Sequence, residues 1–364
     1  MPIRYPLAEG RRMSMRNTFP VLIAMSLLST TALARRCEIN GVDVNPDNGS
    51  TTAGKTGVLK CYRDDGTLWR EQELRDGEHL GLDRTVRDDG SISERQINAN
   101  GNTQGLAREF YPGGKLKQEG KYENGSAVGL SKSYHPDGRV ASLRFTPKAG
   151  AQPAASIEYN RDGSLHDLRC AAQSQMPEDR TLCGYGKNAS IELHDAGGRL
   201  SEKRSYRDGQ AIAAETFDRE GRRSESFERD AQRNVTKRYF DSGEPASESV
   251  VVDGFEIASS EWYMNGKLKT RTSREAVLER PKSTLEQFRD TGVLQVREER
   301  VGQRRTHDER FDESGKRIEE FLYDADGRPT THRKFDANGA VVLEEAFFPD
   351  GSRKLIKGDA QIAR

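Results

Sequence analysis

The sequence predicts an all-β chain, an elongated antiparallel β-meander of short hairpin repeats in two blocks. Three observations carry that prediction. Gly66, Gly90, Gly114 and Gly138 recur every 24 residues, and a fixed period of this length marks a repeat architecture. Four residues before each of these glycines and their later equivalents stand Tyr62, Val86, Phe110, Tyr134, Tyr159, His194, Phe217, Tyr239, Trp262, Phe288, Phe311, Tyr323, Phe335 and Phe347. All but Val86 and His194 are aromatic in a chain that is only 7% aromatic, so the placement is not chance. Between turns the side chains alternate by twos: Leu116, Gln118, Gly120 and Tyr122 share one side, and Lys117, Glu119, Lys121 and Glu123 the other. That alternation belongs to an antiparallel strand with one packed and one solvated face.

Along the chain, residues 1–34 read as a secretory signal peptide, with Met15 as an alternative start. They hold Arg16, an apolar run from Phe19 to Leu28, and the small-residue site Ala32-Leu33-Ala34. The apolar run is shorter than the roughly 20 residues of a spanning helix, so the expected location is periplasmic or secreted. Cys37, Cys61, Cys170 and Cys183 all lie beyond the leader. Four cysteines in an oxidising compartment allow three pairings, of which Cys37–Cys61 with Cys170–Cys183 is the sequence-local one.

The first repeat block, 35–145, shows why the spacing holds. His135-Pro136-Asp137-Gly138, like Phe348-Pro349-Asp350-Gly351 in the second block, puts Pro second and Gly fourth in a type I turn. With that glycine left-handed, the loop has three residues and a bulge. The residue at minus four then pairs directly with the aliphatic residue at plus two, as Tyr134 with Val140. The alternate turns at Asp76-Gly77, Asn124-Gly125, Asp208-Gly209 and Asp253-Gly254 read as two-residue type I′ turns.

Residues 146–190 carry Pro147, Pro153, Pro177 and the two later cysteines outside the regular spacing, and read as an irregular, disulfide-clamped joint. The second block, 191–364, is a degenerate version whose glycines tighten to steps of 12 at Gly315, Gly327, Gly339 and Gly351. Within it, Ser273–Glu286 lacks glycine turns and is expected as a short helix or irregular strand.

Composition bounds the function. With 33% hydrophobic and 32% charged residues, a thick core is not expected, and the charge runs read as solvated strand faces. Without residues 1–34, which hold four arginines and one glutamate, 54 basic and 57 acidic side chains remain, a balance that argues against nucleic acid. No cluster of basic residues supports membrane contact. There is no C-x-x-C and the six histidines are scattered, so no metal or other cofactor is expected. His194-Asp195, Ser133 near His135, and Cys183 offer reactive residue types, but no nucleophile elbow, phosphate loop or H-E-x-x-H surrounds them. No catalytic residue is assigned, and His194 reads as a packing residue at its turn. In a repeat protein the functional side chains are those that depart from the repeat. By that logic Trp69, Phe255, Trp262, Tyr263 and Phe348 are the candidates for contact with a partner.

The stretch Gly114–Gly138 closely resembles the MORN-variant repeat of the YwqK-family antitoxins. Gly114, Lys115, Leu116, Lys117, Glu119, Gly120, Tyr122, Asn124, Gly125, Gly129, Leu130, Tyr134 and Gly138 all match its pattern. The match is strong over one repeat, fair over Cys61–Phe145 and faint beyond Tyr159. Tyr323-Asp324-Ala325-Asp326-Gly327-Arg328 is similar to the YD repeat of large shell-forming secreted proteins, read here as convergence on one hairpin turn. The resemblance implies a binding protein and not a catalyst: an antitoxin or immunity protein that meets an envelope-acting toxin, such as a phospholipase, encoded nearby. The alternative is a structural or envelope-associated scaffold that binds glycan, lipid or another protein.

Overall fold

The computed structural model describes residues 36–275 and 279–358; the signal-peptide reading of 1–34 lies outside them. The turn chemistry is as the spacing requires. At the Gly138 turn, the Gly138 N–H donates to the His135 carbonyl and the His135 N–H to the Arg139 carbonyl, each at 2.8 Å, with Gly138 at φ +95°. Tyr134 lies opposite Val140. The same minus-four to plus-two pairing holds in later hairpins, from Tyr159 with Leu165 to Phe347 with Arg353. The four Asp-Gly and Asn-Gly turns have both central residues at positive φ, the type I′ geometry.

A second bulge, not foreseen from the sequence, follows most of these turns. Glu109 pairs with Gln118 although Phe110 pairs with Leu116, leaving Lys117 unpaired. Cys61 pairs with Arg70 although Tyr62 pairs with Leu68, making Trp69 the extra residue of the bulge. An extra residue of this kind bends a strand and re-aims its side chains.

The hairpins join into two sheets. The first has twelve strands, from β1 (Arg36–Ile39), β2 (Val42–Val44), β3 (Gly57–Tyr62) and β4 (Leu68–Arg75) to β11 (Ala155–Tyr159) and β12 (Leu165–Arg169). Their order follows the sequence, except that β1 lies between β3 and β2, the chain returning through the single-turn helix α1 (Gly49–Thr52). The second has fifteen strands in sequence order, from β13 (Ala189–His194) to β27 (Arg353–Lys357). At about 4.8 Å per strand this sheet is roughly 67 Å wide. Both are single layers, with the main packing between successive strands. Thus β11 and β12 fall within the segment 146–190, whose irregular part is the stretch between β12 and β13, with helix α2 (Asp179–Leu182).

Both disulfides take the sequence-local pairing. Cys37–Cys61 joins residues directly opposite on β1 and β3, and Cys170–Cys183 closes the joint. Two such bonds belong to an oxidising, extracytoplasmic environment. The apolar core is correspondingly local. Cys37, Ile39, Val44, Leu59, Cys61 and Leu74 form one cluster with Trp69 against it. Leu143, Ile157, Leu168, Met176, Cys183, Ile191, Leu193 and Tyr206 form the other, filling the junction of the two sheets. Across that junction Asn160 Nδ2 donates to the carbonyls of His194 (3.3 Å) and Asp195 (3.0 Å).

Each edge of the meander is laced. On one, the side chain after the minus-four residue reaches the next minus-four carbonyl: Tyr111 to Tyr134 (2.8 Å), His135 to Tyr159 (3.0 Å) and Tyr263 to Phe288 (2.9 Å). Where Asp stands there instead, it caps its own turn, as Asp324 Oδ1 does for the N–H groups of Asp326 (2.8 Å) and Arg328 (2.9 Å). On the other edge, tight-turn glycines donate backward, Gly77 to Lys55 (2.8 Å) and Gly209 to Cys183 (2.9 Å).

Two expectations are corrected. The described residues of Ser273–Glu286 are neither helix nor irregular strand: β20 (Leu268–Arg274) and β21 (Lys282–Phe288) pair regularly from Thr270 with Gln287 to Arg274 with Ser283. The Thr- and Leu-containing flanks suit a strand without any glycine. Nor are all charged rows solvated. Asp83, Glu286, Glu298, Glu309, Glu320 and Glu345 are buried, because long arginine side chains from neighbouring strands lie over them.

Candidate binding surfaces

Three surfaces depart from plain repeat packing. The first is a charged row across one face of the second sheet. Arg271, Glu286, Arg297, Glu309, Glu320, Arg333 and Glu344 lie directly opposite one another on successive strands, and so share that face. Glu309 and Glu320, side by side, are bridged by Arg317 at 3.0 and 2.9 Å. Burial acts to raise the Glu320 carboxyl, but bonds from His307 and Arg333 and the charge of Arg317 hold it below the usual range. His307, Glu309 and Glu320 bring possible metal ligands within 4.8 Å of one another. Arg297, Arg317 and Arg333 already neutralise those carboxylates, so the row reads as structural. The opposite face has a counterpart: His332 Nδ1 faces Glu345 at 3.0 Å, its Nε2 faces Glu319 at 2.8 Å, and its ring stacks on Phe321 at 4.3 Å.

The second surface is the β27 end of the second sheet, which is free among the described residues. Every residue of β27 is exposed, including Leu355 and Ile356 (55% exposed), and Phe348 in the preceding turn is 48% exposed. Phe348 was a sequence candidate; Leu355 and Ile356 were not, because a short mixed run of Arg, Lys and aliphatic residues looks alike in a central and an edge strand. The other candidates are dispersed. Phe255 (51% exposed) and half-buried Trp262 stand at opposite ends of one strand, roughly 23 Å apart. Trp262 pairs with Leu268, and the Tyr263 hydroxyl is engaged with Phe288.

The third surface is a hollow of about 770 Å³ at the N-terminal end of the first sheet, lined by Trp69, Arg70, His79, Asn45 and Asp47 with the Cys37–Cys61 disulfide in its wall. The plus-three bulge sends the consecutive side chains of Trp69 and Arg70 to this one hollow. Arg36 is held by Asp43 at 3.0 Å and Arg70 by Asp83 at 3.3 Å. Burial, and then the charge of Arg70, lower the His79 pKa below that of a free imidazole.

A family model for the MORN repeat variant matches residues 103–124, the Gly114 hairpin whose Phe110–Leu116 pair and plus-three bulge are described above. The chain carries a MORN repeat. Later hairpins repeat its minus-four to plus-two pairing, from Tyr159 with Leu165 to Phe347 with Arg353. No curated protein matches the chain. Among solved structures it is similar to S. aureus TarM in complex with fondaparinux (17% identity, 27% of this chain and 19% of that one, TM-score 0.22). It is also similar to TcdB2-TccC3-TEV (11% identity, 84% and 18%, TM-score 0.18) and to the Photorhabdus luminescens Tc holotoxin pore (11%, 80% and 20%, TM-score 0.14). The chain spans about a fifth of the length of these structures. At such scores the likeness carries no argument about fold or function.

Proposed function

We propose that this MORN-repeat chain is an exported, non-enzymatic binding protein of the immunity type. It neutralises an envelope-acting toxin, such as a phospholipase, by occluding the toxin's cleft. The supporting observation is the free end of the second sheet. There, among the described residues, β27 pairs on one side with β26 alone and offers the backbone groups of its other side, basic side chains, and the exposed Phe348, Leu355 and Ile356. An exposed edge of this kind accepts an extended segment of a partner by strand addition, with side chains supplying specificity. Exposed apolar residues on a terminal strand are otherwise an aggregation hazard, which a dedicated partner removes.

The test is co-purification of the full chain with the product of the adjacent gene. Capture is expected for the native chain and loss for Ile356→Asp, with folding checked by circular dichroism. No binding to any neighbour-encoded toxin would sink the reading. The Trp69 hollow favours a second one, an envelope-associated scaffold holding another molecule, which has the same fold and no toxin partner.

A further inference from the structure

The hollow beside Trp69 has a chemistry of its own. Regular alternation would have sent Trp69 and Arg70 to opposite faces of β4, and the bulge instead brings both to one concavity. Its size lies within the roughly 300–1,000 Å³ of small-molecule sites. Trp69 borders a second hollow of about 350 Å³ with Arg63, Thr85 and Val86, so the indole stands between two concavities.

Apart from the solvated Asp47 carboxylate, the ionic groups of the wall are compensated. Arg36 bonds Asp43 and Glu38, and Arg70 bonds Asp83. With its lowered pKa, His79 is a neutral imidazole near neutral pH, able to donate from one nitrogen and accept at the other. Beyond that one solvated carboxylate, the wall holds little charge to select an anion or a cation. What it offers is an indole beside short, directed polar groups: the Asn45 amide, the exposed Asp47 carboxylate and the His79 ring. A pyranose ring carries the complement, with C–H bonds for the electron-rich aromatic face and hydroxyls that donate and accept.

We propose that the hollow beside Trp69 binds a neutral oligosaccharide, with Trp69 as stacking wall and Asn45, Asp47 and His79 as hydroxyl partners. The second hollow gives the saccharide room to continue past the indole, so more than one sugar unit is bound. The assignment does not depend on a toxin: co-purification can fail while the saccharide binds, and the reverse.

The test uses the full chain carrying Trp262→Phe, which leaves Trp69 as the one fluorophore of the two tryptophans. Cellotetraose, maltotetraose and chitotetraose are titrated, with inorganic phosphate and tetramethylammonium as ionic probes. A saturable fluorescence change with at least one tetrasaccharide, and none with the ions, is expected. Calorimetry with that sugar should show affinity reduced about tenfold or more in Trp69→Leu. Asn45→Ala, on an exposed loop, should weaken it severalfold and serves if Trp69→Leu does not fold. The proposal is overturned if no tetrasaccharide binds up to about 10 mM, if an ionic probe saturates instead, or if neither substitution changes the affinity.

Discussion

His332 stands where a core residue would be expected, with a carboxylate oxygen against each ring nitrogen and Phe321 against its ring. Each ring nitrogen thus has a carboxylate oxygen as its hydrogen-bond partner. His332→Leu keeps the volume but leaves Glu345 and Glu319 to their remaining partners, Arg353 (3.6 Å) and Arg310 (2.9 Å). We expect a loss of about 2 kcal/mol in urea unfolding, and recovery of much of it when Glu345 is also made Leu; an unchanged midpoint refutes the clamp. The turn aspartates give a pH dependence of definite sign. Backbone N–H bonds from the turn hold Asp195, Asp218 and Asp324 below the ordinary carboxylate pKa, and Asp312 is lowered first by its bond from Ser314. A depressed folded-state pKa contributes stability above the unfolded value of about 3.9, which is lost as pH falls through the folded-state values. The aspartate contribution to the thermal midpoint should thus be flat between about pH 5 and 7 and be lost on acidification below about pH 4, on top of a gentler decline below about pH 6.5 where His79, its pKa lowered by burial, has to charge. Replacing Asp324 with Asn should make the aspartate loss shallower.

At the scale of the hairpin, the laced edges carry the next expectation. Tyr263→Phe deletes only the hydroxyl that reaches the Phe288 carbonyl, and should cost about 1 kcal/mol. If Tyr263 is instead a partner contact, stability stays level and affinity falls. Gly209 sits at φ +78°, and an added Cβ would lie 2.0 Å from the Ala171 carbonyl oxygen. Gly209→Ala should therefore pull the tight turn off the joint, read as faster amide exchange at residue 209 and Asp208, whose N–H groups donate to the Cys183 and Gly184 carbonyls. The hairpins were legible in the sequence because glycine and aromatic are each required at a fixed place by turn geometry, as at Gly138 and Tyr134. The plus-three bulge was not, because that site demands no residue type: Trp69, Lys117, His166 and Ile318 occupy it in different copies. For the same reason Trp69 stood out as a departure, while the hollow it borders, made by Asn45, Asp47 and His79 from separate strands and loops, could not be seen. The buried carboxylates were hidden because an internal ion pair and a solvated charge run have the same composition.

For the molecule as a whole, apolar packing is concentrated at the N-terminal end and at the junction, while β21 to β26 (Val341–Phe347) bury carboxylates and His332 where a core would lie. Quasi-one-dimensional proteins of this kind lose structure in pieces. Amide exchange should be slowest at Ile157, Leu168, Ile191 and Leu193, and unfolding should depart from a single transition. Replacing Cys170 and Cys183 together with Ser, which opens a loop closed over 13 residues, should cost about 3 kcal/mol at that junction and leave the Cys37–Cys61 end unchanged. The strand order has a last consequence, for how the chain comes into being. Apart from the β1–β3 contact, each ladder joins neighbours in sequence, so contact order is low for a β protein. A polypeptide threaded N-terminus first through a narrow channel can then lay down one strand at a time, each new arrival covering the edge left by the last, with no wait for distant partners.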